Sequence, residues 1–148
     1  MLLSHIPSPL SNPAGWSVSQ ATWFEPSGPY LVGAVDGVTE AAPETRADKK
    51  NKNSGGMEYC LSGNLNITPP HQYVDPATFE QLLQTTWDGG QPDGFLWFGR
   101  VGFNGCKNEA LVYTGYRCGT LCGTGTFYIL RKEGGVWKVF LTHGIWQS

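Results

Sequence analysis

The side chains able to do chemistry in this sequence are few and scattered. Its three histidines, His5, His71 and His143, stand far apart, and no two have the spacing of paired metal ligands. His143 falls late in the last strand-like run. It could serve as a general base in a sheet cavity if a carboxylate such as Asp88, Asp93 or Glu109 stood beside it. A place at a strand edge or in the core is the competing role. Arg100 follows Phe95-Leu96-Trp97-Phe98 and precedes Val101, so it is a lone charge in an apolar run. It either pairs with one of those carboxylates or offers its guanidinium to an acidic ligand. Serines and threonines are plentiful, yet no Gly-x-Ser-x-Gly elbow is present. Gly119, Gly123 and Gly125 crowd one loop, but it joins strand to strand, whereas a phosphate cradle leads into a helix.

Cysteine is the other reactive side chain. Cys60, Cys106, Cys118 and Cys122 permit two disulfides in three pairings. Along one straight strand Cys118 and Cys122 would sit about 13 Å apart, beyond the roughly 7 Å limit for a bridge. Across a hairpin whose loop is Gly119-Thr120-Leu121 they would face each other. The expectation is therefore a Cys118–Cys122 disulfide, with Cys60 and Cys106 as the remaining pair, in an oxidising compartment. Four thiolates could instead hold zinc, but only the Cys118/Cys122 spacing suits such a site. No metal and no cofactor is expected.

Strands must position these groups. Six Trp, six Tyr and seven Phe beside twenty Gly and ten Pro favour strands and turns. With 148 residues the chain fits a single domain, residues 1–148. Residues 1–39 read as an irregular, proline-studded arm with a short strand at Tyr30–Val35. Residues 40–56 hold three of the six lysines and no large apolar residue, and read as a flexible surface loop. Residues 57–148 read as the core. There Asp75 can cap a helix that Pro76 opens, Phe79, Leu82, Leu83 and Trp87 form its apolar stripe, and Asp88-Gly89-Gly90 ends it.

A meander follows, with strands Phe95–Phe103, Glu109–Arg117, Gly125–Lys132 and Val136–Trp146 and turns at Asn104-Gly105, the Cys118 loop and Gly134-Gly135. A register with Cys118 opposite Cys122 sets Ala110 against Leu130, Val112 against Tyr128 and Tyr113 against Phe127. A two-residue Gly134-Gly135 turn sets Leu130 against Val139, Arg131 against Lys138 and Ile129 against Phe140. Both faces of these strands are then apolar. One helix covers one face, so the other must meet the arm, a second chain or a ligand. The fold class expected is α+β: one helix on a four- or five-stranded antiparallel β-meander, with an irregular N-terminal arm.

The ordered run Gly99-Arg100-Val101-Gly102-Phe103-Asn104, Ala110-Leu111-Val112-Tyr113, Cys118-Gly119-Thr120-Leu121-Cys122-Gly123-Thr124-Gly125 and Gly134-Gly135-Val136-Trp137-Lys138-Val139 resembles an uncharacterised family of mostly exported bacterial proteins. The resemblance covers about half the chain, from about Val74 to the end. Gly99 stands where those proteins often have Ser, and the first 60 residues resemble nothing in particular. It implies export and a helix-plus-meander domain, and no catalytic residue. A more distant similarity is to cystatin-like and nuclear-transport-factor-2-like domains, whose curved sheets cup pockets.

Charge narrows the partners. Ten basic and twelve acidic residues give a net −2, with no broad basic field for nucleic acid. No stretch is long enough to span a bilayer. The start, Met1 to Pro7, lacks the basic n-region of a signal peptide, so an exported protein would carry its signal elsewhere. The preferred expectation is a non-catalytic, extracytoplasmic or secreted binding domain, with Trp97, Tyr113 and Arg100 on its binding surface and self-association through the second apolar face. The alternative is a small pocket enzyme, a hydrolase or isomerase, with His143 and Asp88 as acid and base and Arg100 orienting substrate. Non-reducing peptide mapping is expected to recover Cys118 and Cys122 in one bridged peptide; both found as free thiols in protein from an oxidising compartment would refute the hairpin bridge.

Overall fold

The computed structural model describes residues 16–19, 33–54, 71–74, 95–119 and 122–148. In chain order these form β1 (Trp16–Ser19), a 3₁₀ turn (Val35–Gly37), α1 (Pro43–Asn53), β2 (His71–Val74), β3 (Phe95–Phe98), β4 (Gly102–Phe103), β5 (Glu109–Gly119), β6 (Cys122–Glu133) and β7 (Val136–Gln147). The fold is α+β. Strands β3 to β7 make an antiparallel meander, and β1 and β2 extend the sheet in parallel, in the order β2-β1-β3-β5-β6-β7 with β4 beside β5.

Local chemistry sets the turns. Gly134 and Gly135 have φ of +56° and +83°, the left-handed pair that a two-residue hairpin loop needs to match strand twist. At the β4–β5 turn the Asn104 side chain accepts from the N–H groups of Asn108 (3.0 Å) and Glu109 (3.1 Å), and Lys107 takes φ of +52°.

The central register is the expected one. Ala110 faces Leu130, Val112 faces Tyr128 and Tyr113 faces Phe127. At the tip it slips by one residue, and Gly119, not Cys118, stands opposite Cys122. On β7, Leu130 faces Val139 and Arg131 faces Lys138, but Ile129 faces Leu141 because a bulge absorbs Phe140. A second bulge absorbs Ile145, so Gly125 faces Trp146.

Each face of the meander has its own core. On one, Val35, Val38 and Ala41 cluster with Trp97, Leu111, Tyr113, Phe127 and Ile129, joined by Leu141, Ile145 and Trp146. On the other, Ala110, Tyr128 and Leu130 are packed by Val101, Phe103, Val112 and Trp137.

Two expectations need correction. The segment 40–56, read as a flexible loop, contains α1. Pro43 opens that helix, and its buried side chains are Thr45, Lys49 and Asn53, one face at four-residue spacing with no large apolar group on it. Deleting it would uncover the core. The strand expected at Tyr30–Val35 also fails where it is described, since Val35 begins a 3₁₀ turn. The helix expected after Asp75 lies outside the described residues.

Gly102 permits the helix to approach. A Cβ there would lie 2.6 Å from the Lys49 backbone nitrogen and the Thr45 carbonyl oxygen, far inside contact distance. Gly102→Ala is expected to lower unfolding free energy by about 1–3 kcal/mol in urea titration. A variant as stable as the parent would show that α1 does not sit this close.

Candidate functional site

Two places gather the polar and exposed apolar side chains. The first is the seam between α1 and the strand edge beneath it. Glu109, the first residue of β5, is only 6% exposed. Its Oε1 accepts from the Ala42 N–H (2.7 Å) and the Thr45 hydroxyl (2.9 Å), and its Oε2 from Arg131 Nε (3.2 Å). Ala42 is the N-cap of α1 and has no capping side chain of its own. Glu109 supplies the carboxylate that the third helical residue provides in a capping box. Desolvation pushes its carboxyl upward, but the Ala42, Thr45 and Arg131 bonds outweigh it and leave the group below its usual range.

Further along, the helix grips the backbone between β3 and β5. Asp48 Oδ2 accepts from the Phe103 N–H (2.8 Å) and Lys52 Nζ (2.6 Å), and Glu44 Oε2 from the Gly105 N–H (3.2 Å). For Asp48 too, desolvation raises the carboxyl, and the Lys52 and Phe103 bonds and nearby Lys52 and Arg100 charges bring it below normal. Asn53 clamps Arg100 from both sides, accepting from its N–H (3.0 Å) and donating to its carbonyl (3.0 Å). The Arg100 guanidinium donates to the Lys52 carbonyl (3.3 Å), a cation at the helix C-terminus.

Lys49 is fully buried in this seam and donates to the Arg100 carbonyl. Its ammonium lies 6.0 Å from the Phe127 ring, and a Cβ on Gly99 would be 2.8 Å from it. No carboxylate among the described residues pairs with it. Burial, then the Lys52 charge, pushes its pKa down to about 7. A lysine with a lowered pKa can be a nucleophile or base, but one sealed under a helix reaches no substrate.

The second place is the exposed end of the β6–β7 hairpin. Val136 is 53% exposed, Phe140 52% and Val139 37%. The Arg131 guanidinium stacks on the Phe140 ring, 3.6 Å from its centre. Lys132 reaches toward the partly buried Trp137, 5.8 Å from its ring.

The residues singled out from sequence are distributed otherwise than expected. Trp97 and Tyr113, proposed as binding surface, are 4% and 1% exposed. A Cβ on Gly115 would strike the Trp97 ring at 2.0 Å and one on Gly125 the Trp146 ring at 2.0 Å, so this facing glycine pair makes the trough both indoles occupy. The rings stack 6.5 Å apart, and Trp146 Nε1 donates to the Tyr113 hydroxyl (3.0 Å). Gly99 bonds to the Tyr113 strand, Tyr113 faces Phe127, and Phe127 faces His143. Three strand spacings, on the order of 14 Å, therefore separate Arg100 from His143, and the two do not share a site. Glu109 pairs with Arg131. Asp88 and Asp93, the other two carboxylates considered, lie outside the described residues.

Cys106 is a free, exposed thiol, which removes the Cys60–Cys106 pair. It sits in the tight β4–β5 turn, away from the other described cysteine. Cys122 is disulfide-bonded, but no bridge joins two described side chains, and Cys60 and the Cys118 side chain lie outside that set. No three metal-binding side chains come together among the described residues, and no helix there is long and apolar enough to cross a membrane.

Sequence reasoning missed Lys49, Asn53 and Glu109 as structural keys. Glu109 alone had a signal: the register that pairs Ala110 with Leu130 also puts it opposite Arg131. No family model, curated protein or solved structure matches the chain.

Lys49 makes stability depend on pH near neutrality. Its folded pKa lies below the unfolded value, so between about 7 and about 10.5 the unfolded chain holds the extra proton and stability rises with pH. Lowered carboxylates act at the acid end, where their stabilisation is lost as pH falls. Lys49→Met is expected to raise the melting temperature relative to the parent at about pH 6, with an advantage that shrinks as pH rises from about 7 toward about 10.5. A difference independent of pH would mean that Lys49 is charged in the fold.

Proposed function

We propose that the chain is a non-catalytic interaction domain whose contact surface is the exposed end of the β6–β7 hairpin. The observation that carries this reading is the pair Val136 and Phe140, exposed on one face of the last strand, with Val139 exposed at the same end on the other, while the other large apolar side chains described are buried or partly so. Exposed aliphatic and aromatic groups beside Arg131 and Lys138 are the composition of a protein-binding patch. Trp97 and Tyr113 have no part in it, because both are core. The bonded Cys122 supports an oxidising, extracytoplasmic setting.

The enzyme alternative has less support. Arg100 serves the helix terminus, and His143 stands strands away from it. A photo-crosslinking residue in place of Phe140 or Val136, expressed in the source cells, is expected to form a covalent protein adduct. The same residue in place of Thr142, exposed on the opposite face, is not. Adducts at neither hairpin position would sink the reading. So would a measured turnover that Arg100→Ala or His143→Ala abolishes in folded protein.

A further inference from the structure

Asn104-Gly105 is the one Asn-Gly pair in the sequence, and it opens the turn between β4 and β5. A glycine nitrogen can attack the side chain of an asparagine before it, because no Cβ keeps the two apart. What surrounds each reacting atom therefore matters.

The carboxamide is prepared for attack. Asn104 Oδ1 accepts from the N–H groups of Asn108 at 3.0 Å and Glu109 at 3.1 Å. Two main-chain donors on one carbonyl oxygen draw electrons from Cγ and would hold the negative charge that forms there. The nucleophile is restrained. The Gly105 N–H donates to Glu44 Oε2 (3.2 Å), in the first turn of α1. A carboxylate in that place opposes loss of the proton, since the amide anion would face a like charge. Gly105 and Glu44 are both exposed, so solvent reaches the pair. Asn53, followed by Ser54, is the contrast: its carboxamide is buried and bound from both sides to Arg100.

We infer that Asn104-Gly105 is a self-modification site, primed by its turn and held in check by Glu44 of α1. Solvent base takes the Gly105 proton, and the nitrogen bonds to Asn104 Cγ. The oxyanion so formed lies between the Asn108 and Glu109 N–H groups. Its collapse breaks the Cγ–Nδ2 bond, and Nδ2 leaves as ammonia with a proton from water. A second water opens the cyclic imide. Opening at Cγ leaves aspartate; opening at the main-chain carbonyl leaves isoaspartate, with the chain running through the former side chain. Isoaspartate lengthens a turn that the Asn104 N–H closes on the Glu109 carbonyl (3.2 Å), and Glu109 is the residue that caps α1. The helix thus protects the turn, and a modified turn loosens the helix.

Ageing the full chain in mildly alkaline buffer tests it. Peptide mass mapping follows replacement of amide nitrogen by oxygen at each asparagine, and an isoaspartate-specific methyltransferase counts the rearranged product. The parent is expected to react slowly, and at Asn104 before any other asparagine. Glu44→Ala is expected to react there about fivefold faster, the effect of losing one hydrogen bond, in protein that urea titration shows to be folded. Gly105→Ala is expected to stop the reaction. The left-handed glycines described are Gly134 and Gly135, and a Cβ at Gly105 would meet only Glu44 Oε2, at 3.5 Å, so the fold accepts alanine there. Folded Glu44→Ala that reacts no faster than the parent would overturn the inference. So would an Asn104 left intact in both while other asparagines age.

Discussion

A helix without a large apolar residue on its buried face can be held on a sheet only by polar atoms, and Glu109 is where that hold begins. One carboxylate caps the backbone of α1, binds Thr45 and is anchored by Arg131, so helix start, β5 and β6 meet at a single side chain. Removing the carboxylate while its donors stay buried would cost more than any one of these bonds contributes. The rest of the seam repeats the pattern, with Asp48, Asn53 and Lys49 bound to main-chain atoms between residues 100 and 103. Main-chain atoms make these contacts indifferent to side-chain identity on the strand, except where glycine is needed for approach.

The consequence for function is that most candidate chemistry is already committed. Arg100, Lys49, Asp48 and Glu109 each have a structural partner, and the tryptophans that might have formed a ligand surface fill a trough of glycines. What is left over is apolar surface on the outermost strand. Burying Val136 and Phe140 would be favourable by roughly 25 cal/mol per Å² of apolar area removed from water, and nothing in the fold has done so.

The meander was legible because its signals are local. Strand alternation, the Gly134-Gly135 turn and the pairing of Ala110 with Leu130 follow from period and turn geometry. The helix α1 was not, because pattern reading looks for an apolar stripe and Thr45, Lys49 and Asn53 offer none. Its partners lie more than 45 residues away in sequence, at Arg100, Phe103 and Glu109. Trp97 was placed on a surface because alternation alone gives a face and not its cover. The Gly115–Gly125 pair that receives it was visible in the register, but only its depth in the structure gives it meaning. Bulges leave no mark in a hydrophobicity pattern, so an unbroken register sets Ile129 against Phe140, where the structure has Leu141.

Those two bulges behave like a pair of compensating frameshifts. The first, at Phe140, advances β7 by one residue against β6 and turns Leu141 inward; the second, at Ile145, advances it once more and restores the original phase, bringing Trp146 onto the same face. Only the short stretch from Leu141 to Gly144 is read out of phase. A single deletion between the bulges would therefore misplace Trp146 while leaving the hairpin end in register, whereas an insertion paired with a deletion inside that stretch would be silent to both ends of the strand. The last strand is in this sense two readable segments spliced through a third. The length of that spliced stretch, more than the identity of its residues, decides whether the indole reaches its trough.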